Sequence, residues 1–359
     1  MNKLLRCIIG CNALLLALGL SQVAPAAEQV TPEQLAKAPA DAADAIGQDA
    51  LAEMKSRYAR PDAIPFPEDN PFSRAKVELG EMLFFDPRLS GSNLLSCASC
   101  HNPSFGWEDG QATATGHGMG VLGRHTPTIL NLAWGESFFW DGRADSLEEQ
   151  ALGPIQAPGE MHQELGSLLA ELSEIEGYRQ RFEAAFPGEG ITEDTLAMAI
   201  ATYERTVVSN LAPFDLWIRG DESAISAEAQ HGFVLFNTKG NCAACHSGWN
   251  MTDDSYQDIG LPSNDAGREA VIGLPELRHA FKTPGLRNIV ERRPYMHDGS
   301  LSTLREVVDH YADGFVQRPT LSDDIVPLEL DDAEREAIVA FMRTLSSQDD
   351  PVVAPILPN

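Results

Sequence analysis

The sequence predicts a mostly α-helical protein of two domains related by internal duplication. Three observations carry that expectation. The 359 residues exceed one ordinary domain, since domains run to roughly 100–200 residues. Long Val/Ile alternation, the mark of strands, is absent, while apolar residues recur at helical spacing. One run of the chain also returns without a gap. Thr126-Pro127, Asn131, Trp140-Asp141-Gly142 and Leu147 come back as Thr283-Pro284, Asn288, His297-Asp298-Gly299 and Leu304.

Residues 1–26 read as an export signal. Lys3 and Arg6 precede an apolar run with Leu14, Leu15, Leu16, Leu18 and Leu20, and Ala24-Pro25-Ala26 offers small residues for cleavage. The run is too short for a membrane span, so the expectation is a soluble periplasmic protein. Residues 27–69 form an extension, helical around 47–58 and then Pro-rich. The first domain, 70–218, opens on a helix with Gly80-Glu81-Met82-Leu83-Phe84. It closes on an amphipathic helix whose stripe is Leu196, Ile200, Tyr203 and Val207. The second, 219–348, opens on Gly232-Phe233-Val234-Leu235-Phe236 and closes on Ile338, Phe341, Met342 and Leu345. Within them, Ser146 with Glu149 and Thr303 with Glu306 read as capping boxes that start matching helices. Residues 349–359 form an irregular tail.

Charge excludes two classes of partner. The formal net charge is −27, and −29 once Lys3 and Arg6 leave with the signal. Neither nucleic acid nor an anionic membrane surface attracts such a polyanion.

Of six cysteines, Cys7 and Cys11 leave with the signal. The other four sit in Cys97-Ala98-Ser99-Cys100-His101 and Cys242-Ala243-Ala244-Cys245-His246. C-x-x-C-H is the attachment string of c-type haem. Two thiols bond the porphyrin edge, and the next imidazole binds iron from one face. A redox dithiol needs no His, and a zinc site would pool both pairs as four thiolates. With no spare thiol in an exported chain, two covalently bound haem c groups are expected, with His101 and His246 on their irons.

The repeat makes the two sites comparable. Tyr311 lies fourteen residues after His297, and Pro154 fourteen after Trp140. If these positions face the open sides of their haems, the second iron receives a phenolate and the first receives nothing from Pro. One iron is then closed and suited to electron transfer, and the other is open to a small oxidant. The asymmetry predicts an enzyme more than a carrier. The phenol must lose its proton to bind, which ferric iron favours. His310 is the adjacent competitor. Met251 follows His246 too closely to reach the far face, and Met296 reads as core. Trp107, Trp134, Trp217 and Trp249 read as packing.

At this point the sequence resembles the bacterial di-haem cytochrome c peroxidase family, including its MauG-type branch. The resemblance runs from Ile64-Pro65-Phe66-Pro67 to about Thr344. Its strings are Leu83-Phe84-Phe85-Asp86-Pro87-Arg88-Leu89-Ser90, Phe139-Trp140-Asp141-Gly142-Arg143-Ala144, Lys282-Thr283-Pro284-Gly285-Leu286-Arg287-Asn288 and Tyr295-Met296-His297-Asp298-Gly299. It implies two cytochrome c-like domains whose haems face across an interface. The first haem is then peroxidatic and the second transfers electrons. Trp140 matches a tryptophan between the haems, and Gln150, Pro154 and Glu160 match residues of the distal pocket. His117 matches a histidine that caps the peroxidatic iron in the resting state of many members and swings away on activation. It lies in Thr115-Gly116-His117-Gly118, a loop loose enough for that motion. Tyr311 stands where ordinary members have methionine and the MauG-type branch has tyrosine. The family also holds calcium between its domains. Here His125 replaces the asparagine ligand and Arg292 a participating threonine, and an imidazole offers calcium no oxygen.

The implied reaction reduces hydrogen peroxide to water at the first haem. Glu160 moves the proton, Gln150 orients the oxidant, and a cytochrome or copper protein supplies electrons. The alternatives are a MauG-type enzyme that modifies residues of a partner protein, a non-catalytic electron shuttle, and a sensor. Members are often homodimers, which the sequence does not decide.

Overall fold

The computed structural model describes residues 46–359, which lie in one compact unit. The export signal and the first part of the extension fall outside the described residues. The helices are α1 (Gln48–Ser56), α2 (Arg74–Phe85), α3 (Cys97–Cys100), α4 (Leu147–Gln156), α5 (Leu165–Glu174) and α6 (Glu176–Ala185). Then come α7 (Glu193–Thr206), α8 (Pro213–Ile218), α9 (Ala227–Asn237), α10 (Glu269–Ile272), α11 (Leu304–Asp309) and α12 (Asp332–Arg343). The sheet among the described residues is a pair of two-residue antiparallel strands, β1 (Tyr256–Gln257) and β2 (Phe281–Lys282). The fold is therefore mostly helical, as the spacing of apolar residues predicts. No described helix is long and apolar enough to cross a membrane.

Each half is organised by one helix crossing. In the first, α2 lies on α7, whose Leu196 and Ile200 are buried with Leu79 and Leu83 of α2. The approach is close because Gly80 has no side chain: a Cβ there would overlap the carbonyl oxygen of Ala199. In the second, α9 lies on α12, burying Phe233, Phe236, Ile338 and Phe341 together. Gly232 has the same role against the carbonyl oxygen of Ala337. Contacts this tight gain dispersion along both helices, and they tolerate only glycine at the crossing.

The described part of the extension, from residue 46, packs on the second half. Leu51 and Tyr58 join the second core beside Phe214 and Trp217. The Tyr58 hydroxyl donates to Asn237 Oδ1 at 2.6 Å, and Lys55 pairs with Glu222 at 2.8 Å over the Trp217 ring. Residues 349–359 carry no regular structure, yet the Pro358 carbonyl accepts two bonds of 3.1 Å from Arg88. One cap differs from expectation. Thr303 and Glu306 form a reciprocal capping box. The Ser146 hydroxyl also caps α4, but the Glu149 carboxylate reaches one residue further, to Asp145 N–H at 2.9 Å.

Gly80→Ala and Gly232→Ala should each destabilise the haem-loaded protein by about 1–3 kcal/mol, because the added carbon meets backbone that cannot yield. A lower denaturant midpoint with an unchanged slope is the expected result.

Candidate functional site

Two short turns set up the same chemistry in each half. His101 follows the single turn α3, and His246 follows the 3₁₀ turn Cys242–Ala244. His101 Nδ1 lies 3.2 Å from the Trp107 carbonyl, and His246 Nδ1 lies 3.0 Å from the Met251 carbonyl. A carbonyl only accepts, so each Nδ1 carries the hydrogen and each Nε2 keeps its lone pair. Burial also keeps both rings neutral by lowering their proton affinity. Both imidazoles are thus preset as metal ligands.

One continuous cavity of about 630 Å³ runs between the halves. Cys97, Cys100, His101, Trp140, Gln150, Pro154, Glu160, Cys242, Cys245, His246 and Tyr311 all line it. The structure therefore brings together every expected site residue except His117. The lining suits haem better than the alternatives. Burial pushes the Cys100 and Cys245 thiols up to about 11, and their charged neighbours are acidic. That disfavours the thiolates that a redox pair or a zinc site requires. Among the described residues, no three His, Cys, Asp or Glu groups converge on a point that could hold a metal ion. The wall also carries a buried N–H without a partner, Arg287 Nη2. The rest of that guanidinium donates to the Trp249 carbonyl at 2.6 Å and contacts Asp215 at 2.9 Å. A free guanidinium N–H on the wall fits an anionic carboxylate such as a haem propionate. The residues present thus fit two attached porphyrins.

The two equivalent positions differ as their residue types require. Gln150 and Pro154 stand one turn apart on α4, so both side chains share the cavity face. The chain then folds back: Met161 N–H bonds the Pro154 carbonyl at 3.1 Å and Gln163 N–H bonds that of Ile155 at 2.8 Å. This return carries Glu160 to the same wall. Gln150 Oε1 is buried without a partner. Burial raises the proton affinity of Glu160, and the Arg143 charge opposes that rise. In the second half, α11 passes into a π turn at His310–Gly314 that holds Tyr311, a local distortion frequent at functional sites. Burial pushes the bare phenol's pKa up. His310 faces away, its Nε2 2.8 Å from the Ile259 carbonyl. Met251 is core, whereas Met296 lines the cavity as well as packing on the second core. His117 stays off the cavity wall, its ring 4.7 Å from that of His162 and its Nδ1 without a partner. Its N–H bonds the Gly159 and Glu160 carbonyls at 3.0 and 2.8 Å, tying this loop to the Glu160 segment.

Trp140 is fixed from both halves. Its indole Nε1–H donates to the His125 carbonyl at 2.8 Å, and its own carbonyl accepts from Lys282 N–H at 2.8 Å. Arg124 binds Asp265 through two bonds of 2.7 and 2.9 Å and reaches Asp141 at 2.6 Å. The Arg124 bonds hold the Asp265 carboxyl down to about 2. The two substituted positions noted above also meet here. His125 Nε2 lies 2.9 Å from Glu108 Oε2, and Arg292 Nε lies 3.5 Å from Glu108 Oε1. Sequence reasoning gave no role to Arg124, Glu108, Glu204 or Arg287. Arg287 stands in a quoted motif string, but the other three carry no local signal.

Residues 74–223 match the family model described as "Di-haem cytochrome c peroxidase", and residues 229–346 match "Cytochrome c". The methylamine utilization protein MauG of Methylorubrum extorquens is 51% identical over 320 residues, covering 88% of this chain and 90% of that protein. The cytochrome c551 peroxidase of Pseudomonas aeruginosa is 37% identical, covering 86% and 90%. Among solved structures, a MauG-like protein associated with microbial copper homeostasis superposes with a TM-score of 0.74. It is 31% identical, with 80% of this chain and 95% of that one covered.

The His125 pair gives a pH signature. Both ring nitrogens face acceptors, Gln111 O at 2.7 Å and the Glu108 carboxylate. Burial opposes a charge here, but the bond to Glu108 outweighs it, so the pKa rises above the ordinary imidazole value. A raised pKa stabilises the folded state fully below about pH 6.5 and is lost as pH climbs through the folded value. Tm should therefore fall from about pH 6.5 upward, and Glu108→Gln should flatten that fall.

Proposed function

The chain belongs to the di-haem cytochrome c peroxidase family, and on that premise we propose that it reduces hydrogen peroxide to two waters. The reaction occurs at the first haem position and consumes two electrons and two protons. The electrons come from a donor protein and pass through the second position. The observation that carries this reading is the pairing of Pro154 and Tyr311: equivalent places of the repeat, both on one cavity, one without a ligand atom and one with a phenol oxygen.

In this reading Cys97, Cys100, Cys242 and Cys245 attach the two haems, and His101 and His246 bind the irons through Nε2. Haem iron held this way supplies the redox equivalents and, at the first position, a coordination place open to peroxide. Glu160 takes a proton from one peroxide oxygen and returns it to the oxygen that leaves as water. Gln150, whose Oε1 has no protein partner, accepts a hydrogen bond from the oxidant and orients it. Pro154 keeps the position clear. Tyr311 would hold the second iron through its phenol oxygen, and an anionic oxygen there would lower the reduction potential. Trp140, held rigidly between the halves, is the group through which the two sites communicate. His117 would hold the first iron in a resting state only if the loop now packed on His162 moved.

We place the reaction in the periplasm, on the export signal read in residues 1–26. The excess of 53 acidic over 26 basic residues suits a donor with a basic face, a small cytochrome or copper protein.

Glu160→Gln should lower the rate of peroxide reduction by about 10²–10⁴-fold while leaving the optical spectrum of the oxidised protein unchanged. Tyr311→Met should change the spectrum of one haem only. Donor oxidation should slow as salt rises. Absence of turnover with any donor, together with a peroxide-dependent mass change in a partner protein, would replace this reading with residue modification.

A further inference from the structure

Glu204 is a buried carboxyl that the proposed reaction does not use. It stands on α7, 3% exposed, and lines the cavity within electrostatic reach of Cys97. Its Oε2 has no hydrogen-bond partner. The neighbouring cation does not serve it: Arg205 is committed to Glu148 through bonds of 2.6 and 2.8 Å. The charged and titratable groups around Glu204 are few. Arg205 and Tyr203 share its helix, Glu148 comes from α4 and Cys97 from α3, and Glu81 of α2 lies beyond Tyr203. The 3₁₀ turn Leu132–Trp134, which also packs on α7, brings no charge.

A carboxylate in such a place has little solvent and, at Oε2, no protein donor to stabilise its charge. Burial accordingly pushes its pKa up to about 8, against the opposing pull of Arg205. Glu204 can therefore change protonation near neutral pH. It also sits beside the attachment string of a group whose net charge changes by one with each electron. Added negative charge nearby favours the protonated carboxyl, and its removal favours the carboxylate.

We propose that Glu204 is the redox-linked proton holder of the first haem. It takes one proton from solvent when that haem gains an electron from a reductant, and returns the proton to solvent when the electron leaves. The assignment rests on the haem reading given above. A second consequence follows by linkage: the first midpoint potential depends on pH through Glu204.

The test is a spectroelectrochemical titration of the haem-loaded protein between pH 6 and pH 9, wild type against Glu204→Gln, joined to a reduced-minus-oxidised infrared spectrum of the wild type. The optical bands of two c-type haems check the haem reading independently. The wild type should show one midpoint that falls as pH rises, and Glu204→Gln should lose that slope. The infrared spectrum should contain the carbonyl band of a protonated carboxyl that appears on reduction. An unchanged slope in Glu204→Gln overturns the proposal, as does a wild-type spectrum without the band. The infrared result decides alone if the variant does not fold.

Discussion

The structure depends on a contact that is made twice: a glycine of the entry helix pressed on a carbonyl of the closing helix. Gly80 meets Ala199 in the first half and Gly232 meets Ala337 in the second. Each contact brings two helices to backbone distance, and the rest of each half is hung on that pair. The attachment strings follow the entry helices, and the loops that bond the His101 and His246 rings follow the strings. The imidazole tautomers are set locally: the carbonyls of Trp107 and Met251 hold both Nδ1–H groups, leaving both Nε2 atoms free for metal.

Duplication supplies two similar sites, and divergence makes them useful. At one place of the repeat a helix carries proline, and at the other a π turn presents a tyrosine. Two identical sites would relay electrons but would have no reason to bind an oxidant. Buried and half-buried charges meet at the seam between them. Arg124 spans Asp141 and Asp265, while Glu108 stands between His125 and Arg292. Trp140 is bonded at its indole nitrogen and at its carbonyl, so its position follows from the backbone of both halves.

Local and periodic features were legible in the sequence. The apolar stripes of α7 and α12 are buried, and residues one turn apart, such as Gln150 and Pro154, share the cavity face. The gap-free repeat also puts Tyr311 and Pro154 in correspondence. Features that depend on distant pairs were not legible. Glu108 and Arg292 are far apart in sequence, and each reads alone as a solvated charge. Glu204 adjoins Arg205 and invites a neighbouring ion pair, yet Arg205 turns to Glu148 instead. The docking of Tyr58, at the end of the helix expected around 47–58, on Asn237 likewise has no signal in the sequence.

The central claim is that one iron is open and the other closed by Tyr311. Titration of the haem-loaded protein with cyanide, in the redox state that frees the first iron of His117, followed by optical and paramagnetic resonance spectra, tests it most directly. The account predicts one cyanide bound per chain, with the spectrum of the second haem unchanged. Binding at both irons, or at neither in any redox state, would contradict it.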